Sequence, residues 1–398
     1  MKLAFIIDDY LPHSTRIGAK MFHELACEFV GRGHSVTVIT PDNSQSKMLV
    51  KETLDDVSIW YFKSGETKDV GKVKRAINET LLSFHAWRAI SKEVDQGSFD
   101  AVIYYSPSIF FGPLVKKIKK RCGCSAYLVL RDLFPQWAID AGMIRSGSMI
   151  EKYFRYFEHV SYKQADMIGL MSERNVEVFQ AENFQYQYQS QVLRNWASLL
   201  PSASKKLKSY REELNLQDKV IYFYGGNIGH AQDMSNLMRL AKNMQSYENA
   251  HFLFVGQGNE VELINQLSQE WQLSNFSYLP SVNQEEFKQI LSEVDVGLFS
   301  LASHHTAHNF PGKLLGYMVE SLPILGSVNG GNDLMPLVNE ANAGFIHVNG
   351  EDDVLLTSAA TLCSDGQLRL EMGKSAYMLL SDEFSVQAAA TTILSEID

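Results

Sequence analysis

Short apolar runs alternate with longer amphipathic stretches along nearly the whole chain. Residues 3–7 read as a buried strand. Residues 17–31 place Met21, Phe22, Leu25, Ala26 and Phe29 at helical spacing, and Gly31-Arg32-Gly33-His34 stops the helix. Residues 35–40, rich in β-branched side chains, form the next strand. A long helical stretch over 72–94 follows, then strands at 100–105, 126–130, 167–170 and 191–193. The design repeats with strands at 220–224, 251–255, 276–279, 294–299 and 323–325. Such alternation predicts βαβ units and parallel sheets. The expected fold class is α/β, with two doubly wound, Rossmann-like domains at 1–200 and 201–380. The join falls at the polar, basic stretch Pro201-Ser202-Ala203-Ser204-Lys205-Lys206. The segment 381–398 carries a last helical stretch at 385–397, expected to dock back on the first domain. In open α/β sheets the ligand sits beyond the carboxyl ends of the strands. Two facing domains are expected to enclose a cleft there.

Composition narrows the class. A hydrophobic share of 45% and a charged share of 21% exclude a disordered or fibrous chain. No apolar run reaches the roughly 18 residues of a spanning helix, and the apolar core at the N-terminus is too short for a signal peptide. Four cysteines do not make a disulfide scaffold, so a reducing cytoplasm is expected. Cys122 and Cys124 lack a second pair, which argues against zinc at that motif. The net charge of −10 is uneven: residues 1–200 carry 25 Lys/Arg against 22 Asp/Glu, residues 201–398 carry 11 against 24. The acidic half argues against nucleic acid as a partner. In the basic half, residues 116–121 hold five cations in six positions. Lys72-Val73-Lys74-Arg75 opens a stretch bearing Leu81, Leu82, Phe84 and Trp87. Cations beside apolar side chains suit an anionic membrane surface, and a solvated helix face is the ordinary alternative.

Candidate chemistry lies in the loops after strands. Asp8 to Gly18 ends in Ser14-Thr15-Arg16-Ile17-Gly18, where a glycine and helix N–H groups suit an anion or a sugar hydroxyl, or make an ordinary turn. Tyr224-Gly225-Gly226-Asn227-Ile228-Gly229-His230 has three glycines in five positions before a helix starting near Asp233. That pattern suits a diphosphate or a structural turn, and it lacks the GK[ST] ending of an ATPase loop. Gly256-Gln257-Gly258 is a second glycine loop on the same edge. Residues 303–316 contain His304, His305 and His308, then Asn309-Phe310-Pro311-Gly312-Lys313. Lys313 at a helix start suits a phosphate; the histidines suit a sugar contact or a structural role better than a metal. Arg131-Asp132-Leu133-Phe134-Pro135-Gln136-Trp137 closes a strand with a charged pair and an aromatic loop. The pair is either a local salt bridge or part of a site. Phe134 and Trp137 either stack on a sugar face or lipid or cap the core.

Together these residues resemble family 4 retaining glycosyltransferases of the GT-B fold. The resemblance is carried by Arg16-Ile17-Gly18, Arg32-Gly33-His34-Ser35-Val36-Thr37-Val38, Phe252-Leu253-Phe254-Val255-Gly256-Gln257-Gly258 and Val294-Asp295-Val296-Gly297-Leu298, over nearly the whole chain. Arg131-Asp132-Leu133-Phe134-Pro135 and Gly226-Asn227-Ile228-Gly229-His230-Ala231-Gln232 are similar to the branch that builds bacterial O-antigen and capsule repeats. Phe310-Pro311-Gly312-Lys313-Leu314-Leu315-Gly316-Tyr317-Met318 is most similar to N-acetyl-L-fucosaminyltransferases.

The resemblance implies a transferase that needs no metal or cofactor and retains anomeric configuration. It implies a UDP-sugar donor on the second domain, a polyprenyl-diphosphate sugar acceptor on the first, and a peripheral position on the inner face of the cytoplasmic membrane. Gly18, Gly226, Asn227, Gly229, Gly256, Gly258, Asn309, Phe310 and Lys313 are the implied donor contacts; Arg131, Asp132, His308 and Lys313 carry the catalytic expectation; Arg16, Phe134 and Trp137 face the acceptor. Where the family has Arg and Lys in its diphosphate loop, this chain has Asn227 and Gln232. The family's two glutamates fall on His308 and Gly316, and Glu320, one turn on, is the expected substitute for the second. Arg131 stands where the family has a catalytic-region histidine and cannot be a general base. A sugar-nucleotide epimerase of the same architecture and a non-catalytic nucleotide-sugar-binding protein are the alternatives.

Overall fold

The computed structural model describes the chain except residues 15, 67–69, 141, 200–208, 304–311 and 398, and the side chains of 72 and 73. Two compact units emerge: Met1–Trp196 with Val386–Asp398, and Ala197–Ser385. The crossings thus fall at 196/197 and 385/386 rather than at 200/201 and 380/381, and the predicted polar join at 201–206 lies outside the described residues.

The first unit runs β1 (Lys2–Ile6), α1 (Ile17–Gly31), β2 (Ser35–Asp42), β3 (Leu49–Leu54), β4 (Val57–Lys63), α2 (Lys72–Thr80), α3 (Leu82–Ile90), β5 (Ala101–Ser106), α4 (Gly112–Cys122), β6 (Ser125–Leu130), α5 (Gln136–Asp140), α6 (Met149–Tyr162), β7 (Met167–Leu170), α7 (Glu173–Glu182) and β8 (Ser190–Val192). Its sheet has the order β3-β4-β2-β1-β5-β6-β7-β8, parallel except for the β3–β4 hairpin. β1 and β5 are apolar on both faces because helices cover both sides. One face packs Phe5, Phe22, Phe29 and Trp196 with the C-terminal helix; the other packs Tyr104, Phe111, Leu114 and Ile118. The long predicted helix over 72–94 is two helices, parted at Leu81.

The second unit runs α8 (Tyr210–Glu213), β9 (Val220–Asn227), α9 (Met234–Asn243), β10 (Ala250–Gln257), α10 (Val261–Glu270), β11 (Phe276–Pro280), α11 (Gln284–Leu291), β12 (Val296–Ser300), α12 (Lys313–Val319), β13 (Ile324–Val328), α13 (Leu334–Glu340), β14 (Gly344–Val348), α14 (Asp352–Ser364) and α15 (Gly366–Glu383). Its six strands are all parallel, in the order β11-β10-β9-β12-β13-β14. The chain then returns to the first unit as α16 (Val386–Ile397), which buries Val386, Ala389, Ala390, Ile393 and Ile397 beside α1.

Candidate functional site

The second unit gathers its chemistry where β9 and β10 end. Their backbones run so close that a Cβ on Gly256 would sit 1.8 Å from the carbonyl oxygen of Gly226. Gly226 itself adopts φ of 116°, a region that L side chains rarely enter. The two glycines let the strand ends splay into loops at van der Waals distance. Gly258 and Gly229 lie in those loops, and the Asn227 amide donates to Gln232 Oε1 at 2.8 Å. The Tyr224 hydroxyl donates to the carbonyl of Asn227 at 2.5 Å, bracing the turn from beneath.

Lys313, in the first turn of α12, reaches under this loop. Its Nζ lies 3.7 Å from the centroid of the Tyr224 ring and 3.7 Å from where a Gly226 Cβ would be. The ammonium is buried and has no hydrogen-bond acceptor among the described residues. Desolvation pushes its pKa down to about 7. Cation–π attraction offsets part of that cost. A buried cation with no counter-ion, set against exposed glycine backbone, is a place for an anion to complete.

One sequence reading is corrected here. The N-terminus of α9 was expected to face a phosphate. Instead Glu260 Oε2 accepts the Met234 N–H at 3.2 Å, and Glu260 Oε1 pairs with His230 Nδ1 at 2.6 Å. The protein's own carboxylate occupies that helix end, and Asp233 before it is left-handed, with φ of 45°. Glu320 is the C-cap of α12, one turn beyond Gly316, and its N–H donates to the Gly316 carbonyl at 3.3 Å. A Cβ at Gly316 would point toward Leu291 Cδ1, 3.5 Å away. Tyr317, passed over in the sequence, is buried and accepts from the Gly225 N–H and donates to the Leu298 carbonyl, both at 3.2 Å. Only its place one turn after Lys313 marked it. His308, Asn309 and Phe310 lie outside the described residues.

In the first unit, Arg131 follows β6 and is enclosed. Its guanidinium donates to the carbonyls of Leu130, Gly169 and Arg194 at 3.2, 3.3 and 3.2 Å and sits 5.6 Å from the Trp196 ring centroid. Burial lowers its pKa to about 10. Among the described residues its partners are three carbonyls rather than the Asp132 carboxylate, so the pair is not a local salt bridge. Asp132 is exposed, yet the surrounding protein withholds enough water to push its carboxyl upward. Phe134 is half-buried and packs on Phe154 of α6, centroids 4.8 Å apart. Trp137 is 48% exposed and keeps an open face. Arg16 caps α1 and lies 3.4 Å from Asp9. Gly18 is in the first turn of α1, against the Tyr105 ring.

The architecture and this loop geometry define a class. The fold is GT-B, and residues 206–378, most of the second unit, match the family model Glycosyl transferases group 1. Among curated proteins, the probable glycosyltransferase WbjE of Pseudomonas aeruginosa is 24% identical over 55% of this chain and 54% of its own length, just over half. The putative colanic acid biosynthesis glycosyl transferase WcaI of Escherichia coli K12 is 22% identical over 75% of this chain and 76% of its own. Among solved structures, Anabaena HepE in complex with UDP superposes with a TM-score of 0.67 at 13% identity, covering 99% of both chains.

Proposed function

We propose that the whole chain transfers a sugar from a UDP-linked donor to a polyprenyl-diphosphate-linked sugar during bacterial surface-polysaccharide assembly. The observation that carries this reading is the buried Lys313 ammonium, without a hydrogen-bond partner among the described residues, beside the glycine loop of β9. A donor diphosphate supplies its missing counter-ion, and the charge that develops on the departing UDP strengthens the same contact. Asn227 and Gln232 bring no charge, so Lys313 and backbone N–H groups carry that task. His308, Asn309 and Phe310 are assigned to the donor sugar, Glu320 to the ribose, and Arg131 and Asp132 to the reacting groups. Arg16, Phe134 and Trp137 are assigned to the acceptor. N-acetyl-L-fucosamine is the donor sugar the sequence resemblance favours, with anomeric retention and no metal ion. The names of WbjE and WcaI support the transferase class and the polysaccharide setting.

The acceptor's lipid calls for a membrane face. No helix among the described residues is long and apolar enough to cross a membrane; the contact in this proposal is peripheral, on the cytoplasmic side. The α4 cations, the first choice in the sequence, are largely engaged within the protein. Lys119 pairs with Asp166 at 2.6 Å, and Arg121 stacks 4.5 Å from the Trp87 centroid while bonding the Ser91 carbonyl. The better face lies on α6 and its neighbours: Met143, Met149, Ile150 and Tyr156 are 60% exposed or more, with Phe84 and Ile77 at 54%. The Tyr153 hydroxyl bonds Thr80, tying α6 to α2, and Arg145 and Lys152 are exposed beside these apolar groups. Apolar side chains rimmed by cations fit an anionic bilayer surface.

The test is to incubate the protein with radiolabelled UDP-sugars, with and without a polyprenyl-diphosphate sugar. Lipid-linked product that requires the acceptor is expected. Interconversion of the sugar nucleotide without acceptor would establish the epimerase reading. UDP binding with no turnover across the panel would establish a binding protein, and thermal stabilisation by GDP but not UDP would overturn the nucleotide assignment.

A further inference from the structure

Away from the donor edge, the first unit brings together three side chains that the proposed chemistry does not use. His23 and Cys27 stand one turn apart on α1, so they share a face. Asp55 reaches them from the two-residue turn between β3 and β4, where both Asp55 and Asp56 have positive φ, 50° and 62°. His23 Nε2 lies 2.9 Å from Asp55 Oδ2 and 3.6 Å from Cys27 Sγ, and the three donor atoms lie within 4.8 Å of one another. His23 is largely buried and its other nitrogen, Nδ1, is held by the Tyr10 hydroxyl at 2.9 Å. The side chain of Asp55 is 68% exposed, so the cluster opens to solvent.

From this geometry we infer that His23, Cys27 and Asp55 bind a zinc-class divalent ion, as a site separate from sugar transfer. The donor set is one nitrogen, one thiolate and one carboxylate, the mixture zinc takes. Ligand bond lengths of about 2.0 to 2.3 Å place tetrahedral nitrogen and sulfur donors roughly 3.5 Å apart, and the His23–Cys27 distance is 3.6 Å. Asp55 needs to withdraw by about half an ångström, which an exposed turn residue can do. Binding displaces the thiol proton of Cys27 to solvent, and His23 ligates through the Nε2 lone pair of the tautomer whose single ring proton sits on Nδ1, where it donates to the Tyr10 hydroxyl. With three protein ligands, the fourth position falls to water. Tyr10 sits in the loop after β1 that also carries Asp8, Asp9 and Arg16, so the ion would stiffen that loop through the His23–Tyr10 contact.

The experiment is a zinc titration of the full chain against a chromogenic chelator, alongside Cys27→Ser and Asp55→Asn. Asp55→Asn alters an exposed turn residue and keeps the protein folded, as a melting curve verifies. One zinc per chain is expected, with at least about tenfold weaker binding in each variant. Zinc should also slow alkylation of Cys27 about tenfold while leaving Cys122, Cys124 and Cys363 unchanged. The inference is overturned if the wild type takes up no zinc at micromolar free metal. It is equally overturned if both variants bind as well as the wild type, or if Cys27 is alkylated at the same rate with and without zinc. In those cases the Tyr10–His23–Asp55 hydrogen-bond chain accounts for the cluster by itself.

Discussion

Raising the pH from about 6 to about 8.5 should weaken UDP-sugar binding roughly 30-fold in the wild-type chain and hardly at all in Lys313→Met. In the free protein the Lys313 pKa is about 7, against an ordinary 10.5. A bound diphosphate supplies the counter-charge and returns the pKa toward its ordinary value. Affinity then follows the protonated fraction of the free site, which falls from about nine-tenths to about one-thirtieth across that range, or roughly 2 kcal/mol of binding. Calorimetry at constant ionic strength measures it. A UDP-sugar is the better probe than UDP, because its esterified phosphates have no second ionisation near neutrality. A flat wild-type curve, or an equal slope in Lys313→Met, would refute the anion-site assignment. The same shift fixes a stability sign. The folded pKa lies below the unfolded one, so between about pH 7 and pH 10.5 the unfolded chain binds more protons and stability rises with pH. Below pH 7 the full cost of burying the ammonium is present. Lys313→Met should therefore melt higher than the wild type at about pH 6, by roughly 1–4 kcal/mol, while losing the donor.

Other substitutions probe the remaining geometry. Gly256→Ala drives a methyl into the Gly226 carbonyl, 1.8 Å away, and should cost more than about 4 kcal/mol in urea melts; a folded, donor-binding Gly256→Ala chain would show that the two strand ends are not in contact. Arg131→Ala leaves three carbonyls without their donor and should destabilise the first unit by about 2–4 kcal/mol, with Arg131→Lys in between; Trp196 fluorescence follows the transition. Met149→Glu with Ile150→Glu should abolish cosedimentation with anionic vesicles at low salt while leaving turnover of a detergent-solubilised acceptor intact. Unchanged vesicle binding would remove α6 from the membrane face.

Strands buried on both faces, such as β1, β5 and β9, are unbroken apolar runs and were legible from residue order alone. The β3–β4 hairpin was not. β3 is an edge strand with mostly exposed side chains, and its turn is Asp55-Asp56 rather than the usual glycine-containing pair. β14, a five-residue edge strand, was not read from the sequence either. At the site, glycine spacing and a lysine at a helix start pointed to the donor edge. What sequence spacing cannot show is a missing partner. Only three-dimensional packing reveals that Lys313 has no counter-ion among the described residues, that Glu260 already fills the end of α9, and that Arg131 is bound by carbonyls instead of by Asp132. The His23–Cys27–Asp55 cluster stayed hidden because its third member comes from the hairpin.

The return of α16 to the first unit has a consequence for how the protein is made. Trp196, Phe22 and Phe29 form an apolar surface that Ala389, Ala390 and Ile393 cover. Those covering residues leave the ribosome only after all of Ala197–Ser385. The second unit is continuous and can close as soon as it emerges, whereas the first must wait, partly open, for its last helix. A chaperone that shields apolar surface therefore has its longest opportunity on the first unit, and a nascent chain halted at Glu383 should be held there while its second unit already resists protease.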